Sequence, residues 1–348
     1  MSRIGVLRKT ILATGALLLA VACWFAATLV PTDHASSKDA VRFRNSLIVS
    51  VAAPADFEWT PDRVPPGFRW ETSESPGAIR DAVRVALKDQ PAGASDFDKV
   101  LAIVRHLQAG HVDGRPISNA TETAYRSIVE RKMGWCSDFS QVLNGVALAA
   151  GIGVREWGMA FDGFGGEGHA FNEIYDRRRG KWIFVDAFSA IHVRDRASGA
   201  PLSVLEFRAA LLSGKAAETV EVVNVTANPG FKYPAKALEY YGRGADQMYL
   251  WWANDVFSYD RHPLVALLRA LPASVGQTAA ILAGAFPEMR IVQSATNAVW
   301  IEELEGKRRM LFLMVTAAAV LAAAFAAQLY YFRRARRSGR PARAVAAV

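Results

Sequence analysis

Cysteine is scarce: two in 348 residues, with six histidines. Two cysteines cannot staple a small disulfide scaffold or complete a four-cysteine zinc site. His106, His111, His192 and His262 lack the spacing of metal ligands. Asp96 and Asp98 lack the glycine and glutamate of a calcium loop, and no repeat of 20–50 residues is present. No metal and no cofactor is therefore expected. Basic charge is also missing from the middle of the chain. The net charge is +8, but Arg3, Arg8 and Lys9 lie at one end and Arg333, Arg334, Arg336, Arg337, Arg340 and Arg343 at the other. Without these nine the remainder carries −1. A pI near 9.6 then marks two basic ends, and nucleic acid is excluded as a partner.

Each basic end flanks an uncharged apolar run, Ile11 to Val30 (20 residues) and Met310 to Phe332 (23 residues). At about 1.5 Å per helical residue, either spans a hydrocarbon core of roughly 30 Å. Lys and Arg collect on the cytoplasmic side. Lys307, Arg308 and Arg309 oppose the six tail arginines but are outnumbered, so both termini are expected inside and residues 31–309 outside. Ala20-Val21-Ala22-Cys23 resembles a weak lipobox. Trp24 to Val30 continue apolar, however, and Cys23 reads instead as a small apolar residue within a membrane helix.

The outer region divides by pattern into an N-terminal extension (31–94), a core (95–200) and a C-terminal part with a juxtamembrane segment (201–309). Residues 31–40 read as a polar spacer, and Leu47, Val49 and Val51 as alternating strand positions. Helices are expected over Gly77 to Gln90, from a Ser95 capping box through Leu107, over Thr121 to Lys132, and from Phe139 to a stop at Gly151. Strands follow over Val154–Phe161, His169–Tyr175 and Lys181–Ala187, with Asp162 to Gly168 as a mobile loop. Helices followed by a run of strands define an α+β domain. Beyond residue 200, a helix over Val204–Leu212 and a strand over Val220–Val225 are expected. Tyr240, Tyr241, Tyr249, Trp251, Trp252, Phe257 and Tyr259 read as packing or interface aromatics rather than a carbohydrate platform.

Chemistry is concentrated between 133 and 190. Cys136 stands immediately before a helix, where the dipole and unpaired N–H groups favour a thiolate. If Asp176–Arg179 form the turn of the following hairpin, His169 stands opposite Asp186, Phe171 opposite Phe184 and Glu173 opposite Trp182. Cross-strand neighbours lie about 5 Å apart. Asp186 can then hold the imidazole while its other nitrogen meets a thiol, the arrangement of a Cys-His-Asp triad.

Met133-Gly-Trp-Cys136-Ser-Asp138, Ala149-Ala-Gly-Ile-Gly-Val-Arg155, Gly168-His-Ala-Phe-Asn-Glu-Ile-Tyr175 and Gly180-Lys-Trp-Ile-Phe-Val-Asp186 together resemble the transglutaminase-like superfamily. Phe171 replaces a usual tryptophan, and Ala187 a frequent proline. The resemblance implies a papain-like core of helices on an antiparallel sheet and acyl transfer through a thioester on Cys136, with His169 and Asp186 as partners. The backbone N–H of Cys136 is the implied first oxyanion donor. The second is not readable from sequence, where Gln108 is a candidate by analogy with papain-like enzymes but reads first as a solvated glutamine at a helix end. The expected substrate is a protein or peptide amide. The expected setting is a bacterial inner membrane with a periplasmic catalytic domain, with partner proteins in the membrane. The activity is that of a cysteine peptidase, amidase or acyltransferase. The alternative is a catalytically silent binding or scaffold module in a membrane or envelope assembly.

Overall fold

The structure is a computed structural model, and it describes residues 3–29, 34–110, 117, 119–227, 230–268 and 273–338. His111, Arg340, Arg343 and the first three positions of the expected spacer lie outside the described residues. The chain divides into two compact units, Met1–Ser46 with Glu303–Val348, and Leu47–Glu302.

The first unit contains α1 (Arg3–Leu29), α2 (His34–Ser46) and most of the last helix, α13 (Ala298–Ser338). Gly5–Thr28 and Ala298–Arg336 are each long and apolar enough to cross a membrane. Their leucines are bare, Leu12 and Leu19 at 65% and Leu313 at 70% exposure, as for surfaces whose partner is lipid. The expected polar spacer is corrected here, because His34 onward is helical. Arg42 reaches Asp39 at 3.2 Å one turn earlier, and Phe43 packs edge-on against Trp24. These contacts at helical spacing organise a segment of low average hydrophobicity.

In the second unit the helices are α3 (Gly77–Leu87), α4 (Asp96–Gln108), α5 (Thr121–Arg131), α6 (Cys136–Ala149), α7 (Val204–Leu212), α8 (Ala216–Thr219), α9 (Pro234–Gly244), α10 (Val256–Arg261), α11 (Pro263–Leu268) and α12 (Ala273–Leu282). The strands are β1 (Val49–Ala52), β2 (Val154–Ala160), β3 (Gly168–Asp176), β4 (Lys181–Asp186), β5 (Ile191–Asp195), β6 (Val220–Asn224), β7 (Met248–Trp251) and β8 (Met289–Val292). They form one sheet in the order β1-β8-β7-β2-β3-β4-β5-β6, antiparallel except at β1–β8. The α+β expectation therefore holds, with helices laid on an antiparallel sheet. Strands from outside 95–200 extend that sheet at both edges.

Alternation along β3 divides the core. Ile174 points into a cluster with Val142, Leu143 and Val146 of α6, all fully buried, while Phe171 and Tyr175 face a second, aromatic cluster. Each fully buried aliphatic of this size contributes about 1.5–3 kcal/mol, so α6 is clamped to the sheet by its apolar stripe. The second cluster also encloses an ion pair. Arg155 Nη2 lies 2.7 Å from Glu173 Oε2, with the guanidinium 4.2 Å from the Trp182 ring centre and 4.9 Å from that of Trp59. Glu173 accepts further hydrogen bonds from Trp157 Nε1 at 2.6 Å and the Val204 amide at 2.6 Å. The sequence motifs Val-Arg155 and Asn-Glu173 thus serve the centre of the sheet, where every donor and acceptor must be matched.

The hairpin register differs from the expected one. Asp176 pairs with Lys181, Tyr175 with Trp182 and Glu173 with Phe184, a shift of two residues. Gly180 causes it: with φ of +64° it belongs to the turn, and its amide and that of Arg179 both return to the Asp176 carbonyl. Because the shift is even, every side chain keeps its face. The Asp162–Gly168 loop is also corrected, since it is pinned. Phe164 is 2% exposed, the Gly163 amide donates to Gln247 Oε1 at 2.7 Å, and Asp162 accepts from the Gly165 amide at 2.9 Å.

Candidate active site

Three elements bring the site together. Cys136 is the first residue of α6, so its amide has no carbonyl partner within the helix. Gly134 permits this approach, because a Cβ there would stand 2.9 Å from Ile128 Cγ1 and 3.2 Å from Phe139. Asp138 fixes the helix start by accepting from the Trp135 amide at 2.8 Å and the Ile117 amide at 3.0 Å through one oxygen, Oδ2. This is an N-terminal cap supplied from the third helical position. Trp135, 49% exposed, stands beside the half-buried thiol.

His169 follows Gly168 at the start of β3, and Asp186 ends β4. Their Nε2···Oδ2 distance is 2.6 Å, with both side chains almost fully buried. With the register found here, the two positions are diagonal neighbours on one sheet face rather than directly opposed, still within reach of an imidazole. The Cys136 thiol acts on the same ring, raising its proton affinity. Since Nε2 is engaged by Asp186, Nδ1 is the nitrogen left for the sulfur. Of the three residues singled out from sequence, His169 and Asp186 are in direct contact, and Cys136 is near enough to influence the ring.

Burial disfavours charge on His169, but the Asp186 carboxylate, its hydrogen bond and the Cys136 sulfur outweigh it, and the ring is pushed up to about 10. Asp186 moves the other way. Burial opposes its ionisation, but His169, the Tyr241 hydroxyl and the Ser189 amide (2.9 Å from Oδ1) hold it below the usual carboxylate range. Aromatic rings enclose the imidazole: Tyr240 edge-on at 5.4 Å between ring centres, Tyr241 at 5.9 Å, Phe171 and Phe188 at 6.1 Å. Such walls exclude water and strengthen the ion pair.

Tyr241 was singled out from sequence only as an aromatic. It is fully buried on α9 and donates its hydroxyl hydrogen to Asp186 Oδ2. The only sequence cue was its place among clustered aromatics. Gln108 has a different place from the one expected by analogy. Its Nε2 donates to the carbonyls of Ala187 (2.6 Å) and Phe188 (2.7 Å). An amide nitrogen has two hydrogens, and both are spent on the turn that follows Asp186. Gln108 therefore steadies the carboxylate's own loop. His192 lies on β5, with its ring edge-on to Phe97, and burial pushes it down to about 4. His106 lies 3.0 Å from the Tyr125 hydroxyl. Both lie apart from the triad.

The fold and site define a class, an α+β protein whose cysteine at a helix start meets a histidine and an aspartate on adjacent antiparallel strands. The family model described as the transglutaminase-like superfamily matches residues 86–187, less than a third of the chain. The match ends one residue past Asp186 and so contains all three side chains. Its members include cysteine hydrolases and acyltransferases. Comparison with curated proteins found no match, and neither did comparison with solved structures.

Proposed function

We propose that the protein is a cysteine hydrolase or acyltransferase that works through a thioester on Cys136. The observation that carries this reading is the 2.6 Å contact of His169 with Asp186, on a ring whose proton affinity the thiol of Cys136 at the start of α6 also raises. The thiolate adds to an amide carbonyl carbon, and the oxygen takes up the electron pair beside the unpaired N–H of Cys136. The C–N bond then breaks as the imidazolium gives its Nδ1 proton to the departing amine. Water, or a second amine, next adds to the thioester carbonyl while Nδ1 takes its proton. The C–S bond breaks, and the thiolate is restored. Asp186 holds the ring so that Nδ1 faces sulfur throughout.

The reading includes a setting. Two apolar helices at the chain ends and the excess of arginine after the second support both termini in the cytoplasm. The core then lies on the far side, the periplasm of a bacterial inner membrane. Alkaline phosphatase fusions after residue 40 and after residue 335 test this, with activity expected only for the first.

The enzymatic reading is tested by labelling the full chain with a thiol-directed activity probe, comparing wild type with Cys136→Ala and His169→Ala. Wild type alone should be labelled efficiently. Mass spectrometry of peptides incubated with and without an added amine separates hydrolysis from transfer. Full complementation of a deletion by Cys136→Ala would instead favour a scaffold.

A further inference from the structure

A cavity of about 400 Å³ lies along the flank of α6, within the size range of small-ligand sites. Ser137 and Asn144 of α6 line it, as does Glu156 of β2. The opposite wall is apolar, with Trp251 packed edge-on against Phe286 at 5.6 Å between ring centres. Cys136 is not among the lining residues.

Charge around this cavity is uneven. Four carboxylates and one guanidinium line it among the described residues. Three of the carboxylates are answered by the protein itself. Asp138 accepts two backbone amides, Asp260 accepts the Thr121 amide at 2.7 Å, and Asp255 pairs with Arg69 at 3.1 Å. Arg69 is committed in turn, to Asp255 and to the Ala285 carbonyl at 2.9 Å. Glu156 is the exception. One neutral donor reaches it, Asn144 Nδ2 at 3.0 Å from Oε2, and Asn144 is itself held by Asn172. Burial, unopposed by any described cation, pushes the Glu156 carboxyl up to about 8. Among the described residues no cation answers Glu156, and its carboxyl, once ionised, offers a site for one.

The kind of cation follows from the free atoms. Asn144 already occupies one carboxylate oxygen, so the two-pronged match that a guanidinium seeks is spoiled, whereas a point-charge ammonium needs only the other oxygen. The aromatic wall suits an apolar stem and can face a cation as well. We propose that this cavity is a binding site for a primary ammonium group carried on an apolar chain, with the ammonium on Glu156 and the stem against Trp251 and Phe286. Cys136 does not line the site, although Ser137 and Asp138 after it do, and binding there needs no thioester.

Calorimetric titration of the full chain in detergent tests this with two probes, N-acetyl-lysinamide and its uncharged isostere N-acetyl-norleucinamide. Saturable binding is expected for the first and not the second. At pH 7 it should release protons, read from the dependence of the heat on buffer ionisation enthalpy, because the carboxyl must ionise to pair. Glu156→Gln keeps the size and a neutral group, so its melting temperature should hold while affinity falls about tenfold or more. Cys136→Ala should bind as wild type does, which separates this result from the fate of the thioester reading. Equal binding of both probes, no heat from either, unchanged affinity in Glu156→Gln, or binding without proton release would each overturn the proposal.

Discussion

The hydroxyl of Tyr241 donates to Asp186 Oδ2, the same oxygen that accepts Nε2 of His169. One carboxylate oxygen is thus shared by a neutral and a charged donor, while the other takes the Ser189 amide. Tyr241 is fully buried against Phe171, Phe184, Phe207 and Phe231, so the hydroxyl has no water to turn to. Tyr241→Phe keeps the ring and deletes only this bond. A hydrogen bond to a charged group is worth about 1.5–3 kcal/mol, and the variant should lose stability in that range by chemical denaturation. Tyr241→Ala should lose more, because a cavity is added. A stability for Tyr241→Phe equal to wild type would contradict the bond.

The raised proton affinity of His169 makes stability depend on pH in a definite direction. The ring is pushed up to about 10 in the folded chain against about 6.5 when unfolded. Its contribution is therefore fully present below about pH 6.5 and is lost as pH rises through 10. The loss is on the order of a few kcal/mol and should appear as a falling melting temperature across that window. In Asp186→Asn the opposing effect of burial remains and only the smaller Cys136 contribution offsets it, so the ring's proton affinity falls and this alkaline loss should shrink. Parallel melting curves at pH 6.5 and 9.5 for the two proteins read the difference directly.

What could be read from sequence was local or periodic. The stripe Phe139, Val142, Leu143 and Val146 revealed α6, and a cysteine at its start beside a histidine-to-aspartate hairpin pointed to the candidate site. The hairpin register was misread because the turn residue Gly180 adopts positive φ, a choice invisible in a strand pattern. The error was harmless, since an even shift leaves His169 and Asp186 on one face. Tyr241, Gln108 and Glu156 were illegible for another reason. Each acts on a residue from 12 to 80 positions away, and no periodicity encodes such a pairing.

Arg155 and Glu173 pair inside the aromatic half of the core, where removal of one charge strands the other. Glu173→Gln should destabilise by about 3–5 kcal/mol, the cost of an uncompensated buried charge. Arg155→Met alone should cost a similar amount, because Glu173 then keeps only the Trp157 indole and the Val204 amide as donors. The double variant should lose clearly less than the sum of the singles, which a double-mutant cycle measures. Additive losses would show that the two side chains are not coupled.

Gly168 precedes His169 at the point where β3 leaves its loop beside β2. A Cβ there would stand 2.2 Å from the Met159 carbonyl oxygen, and neither partner is a side chain that can swing aside. Gly168→Ala must therefore move backbone, and the nearest backbone that can move is the strand end carrying the imidazole. Loss of stability by about 2 kcal/mol or more is expected from such strain. The site should suffer disproportionately: labelling of Cys136 by a thiol-directed probe should fall even below the melting transition, where the fold is intact. Gly163→Ala, in the same loop and equally crowded by Trp300 at 2.4 Å, provides the comparison. Its strain comes from the Trp300 indole and from its own φ of +70°, but it does not adjoin His169, so it should retain more labelling at matched stability. Equal retention in the two variants would mean that strain anywhere in this loop, rather than displacement of His169, governs the reactivity of the thiol.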